Sequence, residues 1–331
     1  MKSCKENDKY YLTCERNWVY FTLISVAGFW GAYTYLLRGN IFCNAQTGNV
    51  VLMGLALGSA QWGEGLYYLV PISAYILGAF VSELVPNPIK HRFFVRWDTV
   101  LIFVEMVAVL ILGLIPESAP VQISQVIINF IASMQYNTFR QAEGVAVATT
   151  FVTNHIRQVG IGLAKELHHR KSGDKSHREK WARHAGMLLF FALGAIVGTV
   201  FCHLFIGKAI WITLIPLAVI FVTLLHADLT TEKDWWNRSP QDIEAGVVYG
   251  IAAASGPDVR SRGGRELPPL FCVGYDLKLV HIRPVWQGMI QIVNKILLIL
   301  LIYLAKLKSY VVRKRLVLLA MSGAQISRRH S

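Results

Sequence analysis

A polar segment between two apolar runs carries the side chains of this sequence best suited to hold a solute. It reads NAQTGN over residues 44–49 and follows an apolar run over residues 18–37. Irregular polar backbone at membrane depth is tolerated only where it is buried in protein or lines a water-filled cavity. The segment is therefore either a capped loop near the headgroups or a substrate-facing helix N-terminus. Its candidate substrate-binding residues are Asn44, Gln46, Thr47, Gly48 and Asn49.

A second segment repeats this arrangement in weaker form. Thr47 precedes Gly54 by seven positions, and Thr153 precedes Gly160 by the same number. The second set of candidate substrate-binding residues is therefore Thr153, Asn154 and His155. Helix capping is again the alternative interpretation.

Two further polar features lie inside apolar runs. Gln125 and Asn129 are one helical turn apart, so both face neighbouring helices or a cavity. We predict that they contact the substrate, and hydrogen bonding between helices alone is the alternative. Glu105 lies midway along another run. An ionisable group at that depth suggests an ion or proton pathway, so Glu105 is the predicted ion-coupling residue. A neutral glutamic acid that serves only helix packing is the alternative.

The elements that must position these residues are apolar helices. Of the 331 residues, 54% are hydrophobic and 16% are charged, against about 25% charged in soluble domains. About 20 apolar residues cross the hydrocarbon core of a bilayer. Runs of about this length cover residues 18–37, 66–85, 98–115, 121–139, 184–206 and 209–226. We predict an all-α polytopic membrane bundle with six full spans and two short broken or re-entrant segments, 44–60 and 144–164.

Charge distribution predicts how these spans are oriented. Lys and Arg concentrate in loop 86–97, which has three, and in loop 165–183, which has seven. If neither short segment crosses the membrane, both basic loops and both termini lie on the same side. The positive-inside rule identifies that side as the cytoplasm. The net charge of +13 comes without a nucleic-acid-binding motif, so no nucleic acid partner is predicted.

The order of elements suggests an internal repeat. Span, short segment, span, span occurs twice, and three spans separate equivalent elements of the two units. The units therefore enter the membrane from opposite sides. Many secondary transporters are built in this way, with broken helices at a site near the membrane midplane. Chance similarity among apolar segments is the alternative to such an inverted repeat.

Four short motifs, in this order along the chain, resemble those of a known family. They are AGF at 27–29, FCNAQTGN at 42–49, MQYNTFR at 134–140 and TTFVT at 149–153. Over roughly residues 15–228 the chain is similar to the YoaK family of bacterial integral membrane proteins, which have no established function. The resemblance implies a bacterial plasma-membrane location. The chain departs from the family at Gly31, where members often have an acidic residue, and at 153–155, where Thr-Gly-Asn is common.

We divide the chain into a cytoplasmic tail 1–17, a transmembrane domain 18–228, and a basic linker and C-terminal extension 229–331. Residues 254–269 are rich in Gly, Pro, Arg and Ser, as linkers are. A seventh span at 288–305 would place five Lys and Arg residues outside, so an amphipathic surface segment or a poorly ordered extension fits better.

The predicted function follows from these features. The sequence has no nucleophile elbow, phosphate-binding loop or metalloprotease motif, so neither an enzyme nor a cofactor or metal site is predicted. We predict a secondary transporter or channel for a small solute in the lipid bilayer. The alternative is a membrane interaction or regulatory module that binds a protein partner or anionic lipid through loop 165–183.

Overall fold

The computed structural model describes residues 11–85, 95–168 and 176–232. Within these residues it has nine α-helices: α1 Asn17–Leu37, α2 Gln46–Gly58, α3 Trp62–Tyr67, α4 Leu69–Leu84, α5 Trp97–Leu114, α6 Val121–Thr138, α7 Thr153–His168, α8 Ser176–Phe205 and α9 Leu214–Leu229. Short 3-10 helices cover Thr13–Glu15 and Ile206–Thr213. Strands β1 (Gln141–Ala142) and β2 (Val145–Ala146) form an antiparallel hairpin. The predicted all-α bundle is confirmed.

Among the described residues, four stretches are long and apolar enough to cross a membrane. They are Asn17–Leu37, Trp62–Leu84, Trp97–Leu114 and the 52 residues Arg178–Leu229, which contain most of α8 and all of α9. Helix α6 also has 18 residues but is not among them, because polar side chains interrupt its apolar face. The second predicted span, 66–85, is divided between α3 and α4.

Two pairs of helices make the most extensive contacts of the bundle: α1 with α8, and α4 with α6. Both pairs depend on glycine. A Cβ on Gly194 of α8 would collide with the Ser25 carbonyl of α1, and a Cβ on Gly78 of α4 would collide with the Phe130 carbonyl of α6. The backbones can approach this closely only because these glycines have no side chain.

Polar contacts join the ends of the helices at both ends of the bundle. At one end, which we call the first end, Arg96 binds Asp98 at 2.7 Å and Glu232 at 3.3 Å. Glu232 also accepts hydrogen bonds from Thr13, before the start of α1. At the opposite, second end, the buried Arg38 follows α1 and forms an ion pair with Glu117 at 3.3 Å.

Several predictions concern residues outside those described. The residues concerned are the tail 1–10, residues 86–94 and 169–175 of the two basic loops, the linker 254–269 and the apolar stretch 288–305.

Candidate functional site

Residues 38–45 form an irregular limb that leads from the end of α1 into the middle of the bundle. The Asn44 side-chain amide donates a hydrogen bond to the carbonyl of Ala27, midway along α1, at 3.1 Å. Gly31 makes room for this contact, because a Cβ there would lie 3.3 Å from Asn44 Nδ2. Helix α2 therefore begins beside the middle of α1 and not beside the C-terminal end of α1.

A chain of amides surrounds this helix start. The Gln46 amide donates to Asn129 Oδ1 on α6 at 2.8 Å, and Asn49 donates to Gln46 Oε1 at 3.0 Å. Asn129 in turn donates to the carbonyl of Gln125 at 2.8 Å. Gln46, Asn49, Asn129 and the adjacent Asn44 thus form one polar cluster, the central cluster, in which two separately predicted groups meet.

Asn49 closes the limb onto the start of α2. Its Oδ1 accepts from the Phe42 N–H at 3.0 Å, and its Nδ2 donates to the Phe42 carbonyl at 2.7 Å. Its side chain is fully buried. Because both backbone groups of Phe42 depend on Asn49, the geometry favours the structural interpretation for this residue.

The second segment closes in the same way with a different side chain. His155 Nε2 lies 2.8 Å from the carbonyl of Ala148, seven residues earlier, and Asn49 likewise bonds a residue seven positions earlier. The other ring nitrogen of His155 lies 2.8 Å from His184 Nδ1 on α8. His155 thus makes one of the two backbone contacts that Asn49 makes, the one to a carbonyl seven positions earlier, and adds a contact to α8.

Other candidate residues do not point into the central cluster. Thr47 and Thr153 are exposed, and Gly48 is half-buried with its Cα facing the Phe42 ring. Asn154 accepts a hydrogen bond from Arg157 at 3.2 Å. The structure therefore unites the amide residues and leaves these four outside, so their role in binding stays a prediction.

Two predicted residues carry buried polar atoms without a partner among the described residues. Gln125 donates to the Arg38 carbonyl at 2.7 Å and to the Tyr67 hydroxyl, but its Oε1 is unpaired. Glu105 is fully buried and neither of its carboxyl oxygens has a hydrogen-bond partner. Glu105 does not join the central cluster by any hydrogen bond.

Sequence reasoning missed Arg38 and Tyr67, which complete the surroundings of Gln125. An arginine directly after an apolar run normally marks the membrane interface. Arg38 is instead only 1% exposed, and its guanidinium donates to Tyr33 Oη at 2.7 Å. The signal that could have indicated this is the tyrosine five positions earlier, at the end of the same apolar run.

The family model for proteins of unknown function DUF1275 matches residues 19–223. This chain belongs to that family. It is also 22% identical to the UPF0700 transmembrane protein YoaK of Bacillus subtilis (strain 168) over 217 residues, which are 65% of this chain and 95% of that protein. No solved structure matches the chain. The YoaK-like resemblance is confirmed, and this DUF1275 protein is a membrane protein.

In this DUF1275 protein a cavity of about 330 Å³ opens beside the second segment. Its lining includes the polar side chains of Asn137, Arg140 and Asn154 and the aromatic rings of Tyr136 and Phe151. Arg140 also binds Glu83, at the end of α4, at 2.9 Å. Asn154 therefore faces a cavity that is large enough for a small polar molecule.

The histidine pair of this DUF1275 protein lies in the interior. His155 is fully buried and His184 is almost fully buried. A positive charge placed on a buried ring costs free energy unless it is paired. Protonation of His155 in acid should therefore destabilise the folded state.

We therefore expect the midpoint of thermal unfolding of the purified protein to fall as the pH is lowered from 7 to 5. His155→Gln retains a donor for Ala148 but does not titrate, so the fall should be smaller in this variant. His203→Gln, which changes an exposed histidine of α8, serves as the control and should behave as the parent. Equal acid sensitivity in all three proteins would exclude His155 as the cause.

Proposed function

We propose that this protein is a secondary transporter or channel for a small solute, not an enzyme, with its site at the central cluster and at the buried polar side chains of α5 and α6. The observation that carries the proposal is a set of buried polar atoms without a hydrogen-bond partner among the described residues. They are Ser124 Oγ, Gln125 Oε1 and Gln135 Oε1 on α6 and both carboxyl oxygens of Glu105 on α5. Each such atom costs about 1–3 kcal/mol unless something pairs with it. A solute, an ion or water passing through the bundle would supply the missing partners.

Contacts at the helix ends support a topology of six crossings. At the first end, Asn17 binds Glu143, which also binds Arg183 at 3.4 Å. At the second end, Tyr33 donates to the Gly207 carbonyl at 3.4 Å, and Gln125 meets Tyr67. Arg38 and Tyr67 both lie at the second end, so the chain between them, with α2 and α3, would enter the membrane and return to the same side. Glu143 and Arg183 both lie at the first end, so α7 between them would likewise be re-entrant, but from the opposite side.

Helix pairing supports an inverted repeat of these units. In such a repeat α1 corresponds to α6 and α4 to α8, so the pair α1–α8 corresponds to the pair α6–α4. Ser25 and Phe130, whose carbonyls face Gly194 and Gly78, are 105 positions apart (130 minus 25). Asn49 and His155 are 106 positions apart (155 minus 49) and close equivalent loops. The first span and the short segment of each half therefore support one alignment. Gly78 and Gly194 are 116 positions apart (194 minus 78), so the second half would have ten more residues between its short segment and its next span.

The proposed mechanism is alternating access around these two segments, as in transporters with inverted repeats. The central cluster would hold the solute, and the cavity beside Asn154 would connect the second segment to one side. We propose the bacterial plasma membrane as the location. Both termini would be cytoplasmic, because the basic loop 165–183 then lies on the cytoplasmic side.

The binding part of this proposal is tested by a ligand-stabilisation screen of the purified protein against a metabolite library. We expect at least one small polar solute to raise the unfolding midpoint, and Asn129→Ser to weaken that effect at least tenfold in ligand concentration. Thr223→Ala, an exposed hydroxyl of α9, is the matched control and should respond as the parent. A screen without a stabilising solute, or one whose hits bind Asn129→Ser unchanged, would contradict the proposed site.

Glu105 is proposed to carry the coupling proton or ion. An uncompensated charge at that depth is costly, so the carboxyl group should be neutral except while an ion or proton passes. In proteoliposomes loaded with the solute from the screen, Glu105→Gln should abolish the pH dependence of flux. The variant should unfold at the same temperature as the parent, because glutamine has nearly the same shape. Flux that keeps its pH dependence in Glu105→Gln would exclude this role.

A further inference from the structure

The ion pair of Arg38 and Glu117 closes the second end of the bundle between two helices. The Arg38 guanidinium is fully buried and donates to Tyr33 Oη at 2.7 Å and to Glu117 Oε2 at 3.3 Å. The Glu117 side chain is 52% exposed, so its carboxylate reaches the surface while the guanidinium lies beneath it. Glu117 belongs to the connection between α5 and α6. The pair therefore ties the end of α1 to that connection.

The turn that follows α8 packs directly on this ion pair. A Cβ on Gly207 would collide with both the Glu117 carboxylate and the Arg38 guanidinium. The Gly207 carbonyl also accepts a hydrogen bond from the Tyr33 hydroxyl at 3.4 Å. The closed arrangement at the second end therefore depends on α1, on the α5–α6 connection and on the turn after α8.

The same turn has a strained backbone. Ile206, between the last residue of α8 and Gly207, has a φ of +50°, which a β-branched residue seldom adopts. Its side chain is 53% exposed, so burial of the side chain does not compensate for this conformation. Strained residues persist where their surroundings impose the conformation, and they cluster at switch regions. The contacts of Gly207 with the ion pair are such a constraint, one position away.

The proposed solute site lies directly beneath the ion pair. Gln125 donates to the Arg38 carbonyl at 2.7 Å, and Asn129 of the central cluster donates to the Gln125 carbonyl at 2.8 Å. Both of these side chains are fully buried. A solute that arrives from the second end would therefore have to separate the ion pair. At the first end, by contrast, the cavity beside Asn154 is open.

We infer that Arg38 and Glu117 form the gate of the second end and that the gate is closed in this structure. The inference rests on the proposed function, because a gate needs a pathway to close. A buried charge that loses its partner is costly unless water replaces the partner. Opening therefore moves the turn at Gly207 away from the pair and admits water to the guanidinium, and Ile206 then leaves its strained conformation.

The test uses the native Cys43 as the reporter of access from the second end. Cys43 lies on the limb between Arg38 and the central cluster and is fully buried. The other four cysteines are replaced by serine, and a cationic, membrane-impermeant methanethiosulfonate is applied from the side that labels Gln61→Cys. Cys43 should react slowly in the parent and about tenfold faster or more in Glu117→Gln, because the unpaired Arg38 charge then favours the open state. Loss of a carboxylate weakens the attraction of a cationic reagent, so electrostatic attraction cannot explain a faster reaction.

Two further variants separate the ion pair from a general effect of charge or shape. Glu64→Gln removes an exposed carboxylate of α3 near the same end and should react as the parent does. The charge-reversed variant Arg38→Glu/Glu117→Arg restores an ion pair and should react within about threefold of the parent. A monodisperse peak in size-exclusion chromatography confirms that each variant is folded. The comparison of Glu117→Gln with Glu64→Gln decides the question on its own.

Four results would overturn the inference. They are rapid labelling of Cys43 in the parent, no acceleration in Glu117→Gln, equal acceleration in Glu64→Gln, and a charge-reversed variant as fast as Glu117→Gln. The labelling needs no transported solute, so a failure of the gate is distinguishable from a failure of the proposed function. A stabilising solute together with unchanged labelling would refute the gate alone, whereas a screen without such a solute would contradict the proposed function at any labelling rate.

Discussion

Gly194→Leu is expected to prevent the folded bundle from forming. In the native packing a Cβ at this position would collide with the Ser25 carbonyl, which is backbone and cannot rotate away. The helices α1 and α8 would have to separate along their most extensive contact. Overpacking a core usually costs about 1–3 kcal/mol, and a backbone collision belongs at or above the upper end of that range. The variant should lose its monodisperse peak in size-exclusion chromatography.

The control for this prediction is Gly54→Leu in α2. A Cβ at Gly54 has no atom within 4 Å, so leucine there meets open space. It also removes a helix-destabilising glycine, which should leave stability unchanged or raise it by up to about 1 kcal/mol. Gly78→Leu, at the corresponding contact between α4 and α6, should fail as Gly194→Leu does. A stable, monodisperse Gly194→Leu protein would contradict the described pairing of α1 with α8.

Asn49→Ala is expected to produce the second-largest effect. The substitution leaves the N–H and the carbonyl of Phe42 without their partners in the interior. A buried backbone group left unpaired costs about 1–3 kcal/mol, so the free energy of unfolding should fall by about 3 kcal/mol or more. Thermal unfolding in detergent measures this as a lower midpoint.

Two variants separate loop closure from a general effect of mutation. Thr47→Ala removes an exposed hydroxyl one half-turn away and should change stability by no more than about 0.5 kcal/mol. Asn49→Asp loses the donor to the Phe42 carbonyl and places a carboxylate against that oxygen in the interior, so it should be no more stable than Asn49→Ala. If Asn49→Ala and Thr47→Ala were equally stable, Asn49 would not close the limb.

The helices could be predicted because the bilayer leaves few alternatives for an apolar run of about 20 residues. The burial of Glu105 and Gln125 also followed from their place in such runs. Helix α6 shows the limit of this reasoning, since its polar face makes it a poor span by hydropathy although it is one of the most buried helices.

The central cluster was predicted only in part, because its geometry depends on the limb that leads to α2. The sequence suggested that Asn44, Gln46 and Asn129 face the interior, but not that Gln46 and Asn129 contact each other across 83 positions. It also grouped Thr47 with them, whereas the helix phase turns Thr47 outward. The loop closure by Asn49 and His155 needed the backbone path, which residue types do not specify.

The proposed transport site depends on the two short segments entering the membrane from opposite sides. Side-specific labelling of single cysteines, in a background where all five native cysteines are replaced by serine, tests this most directly. Gln61, between α2 and α3, and Lys165, on α7, are both exposed. A membrane-impermeant maleimide should label Gln61→Cys in intact cells and Lys165→Cys only after permeabilisation. Labelling of both positions from the same side would contradict the opposed arrangement and, with it, the proposed inverted repeat.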